Sequence, residues 1–320
     1  MPFWYRPITW AWLLLPLALL FKLISTARRL CYQKGLFSSY HSELPVIVVG
    51  NISVGGNGKT PFVIWLCETL LAEGYKPGVI SRGYGGKSEY YPLLVEQATT
   101  GKEAGDEPVL IYKRLGVPVV VDPLRKNAAA YLSENCDVDI IITDDGLQHY
   151  ALQRDIEIVI VDGKRRFGNQ QLMPMGPLRE SISRLKSVDF VINNGAEKHN
   201  EIGMFLQAQT CKRVDGEKEQ LAANLKVNAC AAIGYPQRFF DTLTAENFIL
   251  DKTVGFADHH AFSAADFNQF SNQVPLLMTE KDAVKCTHFA QENWWYLPIS
   301  AQLPEIFKKQ LLNKIKDHKC

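Results

Sequence analysis

Short apolar runs recur along the first two thirds of the chain. They are Val46-Ile47-Val48-Val49, Pro77-Gly78-Val79-Ile80-Ser81, Val117–Val121, Val138–Ile142, Glu157–Val161 and Val188–Asn193. They are continuous rather than alternating, which predicts strands covered on both faces, as in a parallel sheet. Helical stretches separate them: one from about residue 60 to Glu73 with Gly74 as its stop, one opened by Gly105-Asp106-Glu107-Pro108, and one from Asn127 to Glu134. Strand and helix in alternation predict an α/β fold, a parallel sheet with helices on both faces. From about residue 195 the texture changes. Strands at Val227–Ile233 and Pro275–Met278 alternate with helices around Pro236–Thr242 and Ala264–Phe270, which reads as a second, smaller α/β unit. The tail, Phe307–Cys320, reads as a basic, solvated helix. The expected division is an N-terminal hydrophobic segment over 1–35, a main domain over 36–194 and a smaller domain over 195–320.

The N-terminal segment departs from this pattern. Between Arg6 and Lys22 runs an uncharged stretch, Pro7–Phe21, with Trp4, Tyr5, Trp10 and Trp12 at its start and Arg28, Arg29 and Lys34 after it. No small-residue cleavage site follows, which argues against a signal peptide. The stretch is shorter than the ~20 residues of a full span and contains Pro16. Aromatic residues at headgroup level, apolar residues in the acyl boundary and basic residues beside anionic lipid fit a membrane-anchor helix. Spanning and lying on the bilayer both stay open at this point.

Composition excludes some classes. The formal net charge is +1 over 320 residues, so no nucleic-acid partner is expected. The seven cysteines at 31, 67, 136, 211, 230, 286 and 320 form no C-x-x-C pair or Cys/His cluster, the pattern of reduced thiols in a cytosolic compartment.

The chemistry gathers after the first strand. Ser53-Val54-Gly55-Gly56-Asn57-Gly58-Lys59-Thr60 sits between an apolar run and a helix start. Strand, glycine-rich turn, Lys-Thr, helix is the layout of a phosphate-binding loop. Glycines let backbone N–H groups converge on phosphate oxygens, and the helix N-terminus adds partial positive charge. Lys59 would reach the outer phosphates and Thr60 would hold Mg²⁺. The usual pattern begins with glycine where this chain has Ser53. About ninety residues on, an apolar strand ends in Thr143-Asp144-Asp145-Gly146, the layout of a Walker B carboxylate pair that holds Mg²⁺. Arg82 ends another strand beside glycines, where a parallel sheet gathers its ligand. Arg125 follows a further strand. Gln148, His149, Arg165, Arg166 and Arg179 are candidates for contact with an anionic substrate. His259 and His260 follow Asp258, and by themselves read as loop residues.

Taken together these segments resemble the tetraacyldisaccharide 4'-kinase (lipid A 4'-kinase) family of Gram-negative bacteria. The resemblance rests on residues 49–61, 81–86, 105–108, 143–149, 165–169, 176–180, 258–260 and 279–285, and Ser53 in the loop is normal for that family. It implies a P-loop NTPase-like fold with a smaller domain that closes over the nucleotide. It implies ATP- and Mg²⁺-dependent phosphorylation of the 4'-hydroxyl of an acylated disaccharide 1-phosphate, at the cytoplasmic face of the inner membrane. By the same resemblance Asp106 activates the sugar hydroxyl and His259 assists it, with His260 the alternative in the His-His pair. Arg82 and Arg125 match active-site arginines, and Asp144 and Asp145 match a metal-linked pair.

Overall fold

A computed structural model describes residues 3–5, 10–198, 200–217, 219–222 and 224–318. In chain order the elements are α1 (Leu15–Gln33, entered through a 3₁₀ turn at Trp10–Leu14), β1 (Val46–Gly50), α2 (Lys59–Ala72), β2 (Pro77–Ser81), β3 (Leu93–Leu94), α3 (Gly101–Ala104), α4 (Asp106–Leu115), β4 (Val119–Val121), α5 (Arg125–Asn135) and β5 (Ile140–Asp144). There follow β6 (Ile156–Asp162), β7 (Phe190–Asn194), β8 (Ile202–Ala208), β9 (Lys212–Arg213), β10 (Lys226–Ala231), α6 (Gln237–Ala245), β11 (Ile249–Gly255), β12 (Leu276–Thr279), α7 (Glu280–Cys286), β13 (Trp294–Leu297), β14 (Ile299–Gln302) and α8 (Glu305–His318).

The larger sheet has nine strands in the order β14-β8-β7-β6-β1-β5-β2-β4-β3. Its interior pairs are parallel, and only the edge pairs β14·β8 and β3·β4 are antiparallel. The apolar runs are buried on both faces because their side chains alternate between two cores. Ile47, Val49, Ile140, Ile142, Ile158 and Ile160 point into one. Val46, Val48, Ile141, Val159 and Val161 point into the other. β1 is central: after it the chain builds β2, β4 and β5 on one side, then β6, β7 and β8 on the other. This reversal places a ligand crevice at the carboxyl ends of β1 and its neighbours.

A second sheet holds five strands in the order β11-β10-β12-β13-β9, parallel except for β13·β9. The chain does not divide at residue 195 as the sequence texture suggests. β8, β14 and α8 all belong to the larger unit, so the chain leaves it, builds the smaller sheet and returns. The helix expected around Ala264–Phe270 is a 3₁₀ turn over Ala264–Phe267.

The C-terminal helix is also not solvated. Phe307, Leu311, Leu312 and Ile315 form an apolar stripe at helical spacing that is buried in the large-sheet core. The Phe307 ring stacks on Trp65 at 5.7 Å and meets Phe190 edge-on at 5.2 Å. The basic residues that made the tail look solvated lie outside that stripe, and Lys308 and Lys314 pair with Glu73 and Asp189 at 2.9 and 2.8 Å. Phe307→Ala is therefore expected to destabilise the protein by about 3–5 kcal/mol, the range for emptying a buried aromatic site. Denaturant unfolding of the two proteins measures the difference; a loss under about 1 kcal/mol would mean the helix is not part of the core.

Candidate active site

The phosphate loop leaves β1 at Gly50 and enters α2 at Lys59. Its start is clamped by a neighbouring segment: Val54 N–H donates to Pro177 O at 2.9 Å and Arg179 N–H to Ile52 O at 2.8 Å. Across the loop, Asn57 Nδ2 donates to Ser53 Oγ at 3.1 Å, with both residues buried. Ser53 thus supplies an acceptor that a glycine at this position could not, and the departure from the usual pattern has a structural use. Asn194 Nδ2 donates to Asn57 O at 3.0 Å from the end of β7. Gly58, at φ +94°, turns the chain into α2; a Cβ there would come within 2.5 Å of Asn194 Nδ2.

β5 runs beside β1 and delivers the two aspartates to the loop. Asp144 ends the strand and Asp145 occupies a turn at φ +52°, so their side chains are treated differently. Asp145 meets Lys59 Nζ at 3.6 Å and Arg179 at 2.9 Å. Burial alone would raise its pKa, but Lys59 and Arg179 outweigh burial and hold it near 2. Asp144 is 1% exposed and its Oδ1 has no hydrogen-bond partner. Burial first, then the charges of Glu107 and Asp145, push its carboxyl up to about 7 against the pull of Lys59 and Arg125. Two carboxylates and the hydroxyl of Thr60, in the first turn of α2, are hard oxygen donors. A buried, unpaired carboxylate among them is the chemistry of a divalent-cation site completed by phosphate and water oxygens. The described residues hold no group of three or more His, Cys, Asp or Glu that could bind a metal alone.

Arg125, buried at the head of α5, donates to the backbone oxygens of Asp144 and Asp145 at 3.2 and 3.4 Å. Burial lowers it to about 10, and it stays cationic at neutral pH. Arg82 is exposed at the end of β2, with its charge felt at both Arg125 and His149. Burial, then Arg125 and Arg82, press His149 down to about 3, so its ring is neutral. Arg165 donates to Gly56 O and Asn57 Oδ1 while Asp162 holds it from behind at 3.0 Å. Gln148 Nε2 is engaged by Asn51 O at 3.1 Å and Glu180 Oε1 at 2.8 Å. Arg166 instead forks Glu201 at 2.6 and 2.7 Å, outside this cluster.

Across from the loop, Gly105 at φ +87° turns the chain into α4, whose first turn carries Asp106 and Glu107. His259, itself in a left-handed conformation at φ +60°, reaches over from the smaller unit. Its Nδ1 lies 3.3 Å from Asp106 Oδ2 and its ring rests against Tyr84 at 5.3 Å. His260 turns the other way, stacking on Phe256 at 4.9 Å with Nε2 3.3 Å from Asp266. The pairing of Asp106 with His259, rather than His260, is thus a product of the fold. Glu107 was not singled out by residue type. Burial would raise its pKa, but Lys281 and Lys59 outweigh that and lower it. Its signal was its place beside Asp106 in a helix's first turn.

A phosphate loop, a carboxylate pair on the adjacent strand and a His–Asp pair facing them define a P-loop phosphotransferase. Comparison with known proteins narrows the class. A sequence profile described as Tetraacyldisaccharide-1-P 4'-kinase matches residues 10–316. A tetraacyldisaccharide 4'-kinase from Psychromonas ingrahamii is 72% identical over 320 residues, covering 100% of both chains. Proteins of the same name from Tolumonas auensis and Vibrio cholerae are 55% and 54% identical, covering 98% and 95% of this chain and 96% and 91% of theirs. A crystal structure of LpxK from Aquifex aeolicus, described as an apo form in complex with ATP, aligns with a TM-score of 0.81 at 28% identity, covering 96% of this chain and 100% of that one. The chain belongs to the tetraacyldisaccharide 4'-kinase family and is a kinase.

The raised Asp144 gives a pH test. Its folded pKa of about 7 lies above the ordinary carboxylate value, so the folded state holds the proton more tightly. The unliganded protein therefore loses stability as pH rises from about 4 to about 7, and the loss is complete above that window. Asp144→Asn should stabilise the unliganded protein at pH 8, by an amount on the order of 4 kcal/mol and visible as a higher melting temperature, and much less at pH 4.5. Equal gains at both pH values would show that ionisation of Asp144 is not the cause.

Proposed function

We propose that this kinase transfers the γ-phosphate of ATP to the 4'-hydroxyl of a tetraacylated disaccharide 1-phosphate, in lipid A biosynthesis, at the cytoplasmic face of the inner membrane. The observation that carries the reading is the Asp106–His259 pair at 3.3 Å, opposite the phosphate loop, in a chain of this family. Phosphoryl transfer asks the protein for positioning, charge neutralisation and a group to accept the hydroxyl proton. The loop N–H groups of 53–60 and Lys59 would hold the phosphates, which requires Lys59 to turn from Asp145 toward them. Arg179 stays on Asp145 and keeps it charged as Lys59 leaves. Thr60, Asp144 and Asp145 would hold Mg²⁺, which when bound neutralises charge on the outer phosphates. Arg125 and Arg82 add positive charge at the same strand ends. Asp106 takes the proton of the acceptor hydroxyl, whose oxygen bonds the γ-phosphorus as the bond to the β-phosphate oxygen breaks and ADP leaves. His149 and Arg165 face the crevice as substrate contacts; Gln148 supports the loop through Asn51.

The N-terminal helix supports the location. Ala11–Gln33 is long and apolar enough to cross a membrane; an 18-residue stretch of it has a mean hydropathy of 1.5, and 11% of that stretch is buried. Ala11 and Ala18 pack against Met175. Leu13, Leu17, Leu19, Leu20, Leu23 and Ile24 are exposed on the rest of its surface. An acylated substrate keeps its chains in the bilayer and exposes its sugars, so an enzyme seated at the interface meets it there.

The direct test is phosphate transfer from ATP and Mg²⁺ to a tetraacylated disaccharide 1-phosphate. Lys59→Ala is expected to lower turnover at least about a hundredfold, as loss of a preorganised charge contact does. ATP hydrolysis without dependence on the glycolipid would point instead to water as acceptor. Removal of residues 1–33 is expected to shift the protein from the membrane to the soluble fraction, and unchanged sedimentation would place the membrane contact elsewhere.

A further inference from the structure

The smaller sheet meets the larger unit through α7, and two lysines one turn apart on that helix reach the two adjacent carboxylates that open α4. Lys285 Nζ lies 3.3 Å from Asp106 Oδ2. Lys281 Nζ donates to Glu107 Oε1 at 3.0 Å and stands 3.5 Å from His259 Nε2. The i, i+4 spacing is what brings both ammonium groups to one side of the helix.

Neither lysine is loosely placed. Lys285 is half-buried, with Nζ 3.2 Å from Asp282 Oδ1 and 3.3 Å from His260 O, and it lies over the Phe262 ring. Asp282 is fully buried and accepts from Ala232 N–H at 2.9 Å and from the Thr279 hydroxyl at 2.6 Å, which ties α7 to the end of β10. Arg114, from the last turn of α4, grips Glu280 at 2.7 Å and Ser300 at 2.8 Å. Mutual attraction outweighs burial for the Glu107–Lys281 pair, lowering the carboxyl and raising the ammonium, so both stay charged.

We propose, building on the reading that Asp106 accepts the acceptor's proton, that Lys281 and Lys285 are positioning residues for the Asp106–His259 pair. An ammonium is only a donor, so Lys281 Nζ at 3.5 Å calls for an acceptor at His259 Nε2, against the more distant Asp258 carboxylate at 3.9 Å. The ring proton then sits on Nδ1 and is donated to Asp106. Lys285 and His259 converge on the same oxygen, Oδ2, which fixes the rotation of the carboxylate. No donor among the described residues pairs with Oδ1, which lies beside Gly101 of α3. The pair is therefore assembled only while α7 is docked on α4. Docking of the smaller unit and readiness of the proton acceptor are one event.

The test uses the full chain in detergent micelles with its glycolipid acceptor. Lys281→Met is expected to lower kcat about tenfold and Lys285→Met about a hundredfold, neither exceeding the ~10²–10⁴ that proton transfer contributes, while the KM for ATP stays within about twofold. Lys285→Arg, which keeps the charge, should recover part of the loss. Selective ¹⁵N-histidine spectra, assigned with His259→Gln, should show the Nδ1–H form of His259 in the wild type and a shift toward the Nε2–H form in Lys281→Met. Wild-type kcat in both methionine variants, or an unchanged His259 tautomer in Lys281→Met, overturns the assignment. So does a loss of kcat matched by an equal rise in the KM for ATP and a lower melting temperature, which would make α7 structural support only. Should Lys285→Met not fold, Lys281→Met and the spectra decide. Asp106→Asn, run alongside, separates the two readings. If it keeps its turnover, the proton-acceptor role fails; if it is inactive while the lysine variants are normal, only the lysine assignment fails.

Discussion

A buried and a half-buried carboxyl group stand side by side at the end of β5, and the strand ends around them supply cations. Asp145 has Lys59 and Arg179 within ion-pair distance. Asp144 has only the longer-range pull of Lys59 and Arg125 and keeps an unpaired oxygen. A folded chain retains an unpaired buried carboxylate at a cost, because burial favours the neutral acid. Proton and divalent cation compete for such a group. The site is therefore less stable empty than filled, which is the expected property of a site whose ligand brings its own charge.

The same electrostatics ties the phosphate loop to distant parts of the chain. Arg179 reaches Asp145 with its side chain and the loop with its backbone, and the segment just before it carries Met175, on which the N-terminal helix rests. Arg29 of that helix lies 4.0 Å from Glu180, which also holds Gln148 at 2.8 Å. A short physical path thus runs from the apolar helix to the residues that shape the nucleotide site. On the opposite side, α7 joins the smaller sheet to α4 through ion pairs, with Val284 of α7 packed against the large-sheet core.

Much of the fold was legible in the chain. Continuous apolar runs announced the parallel strands, since a strand covered on both faces needs no polar alternation. β2 appears over the residues anticipated, Pro77–Ser81, and the phosphate loop and paired aspartates were readable because glycine, lysine and carboxylate at those spacings have few other uses. The errors share a cause. The C-terminal helix looked solvated because its lysines dominate the composition, while the four apolar residues that bury it are spread at helical spacing. β8 and β14 were not anticipated as members of the large sheet, because pairing partners almost a hundred residues apart leave no local signal.

By itself the sequence determined the class of chemistry, since a backbone that cradles phosphate and a strand that ends in carboxylates are local constructions. It also carried the family motifs and the apolar helix. Only the tertiary structure decided which charges meet. His259 rather than His260 faces Asp106, Arg166 is taken by Glu201 while Arg165 attends the loop, and Ser53 accepts from Asn57. Those choices depend on the packing of one sheet against another, and Coulomb and hydrogen-bond energies fall off too steeply with distance for residue type alone to specify them.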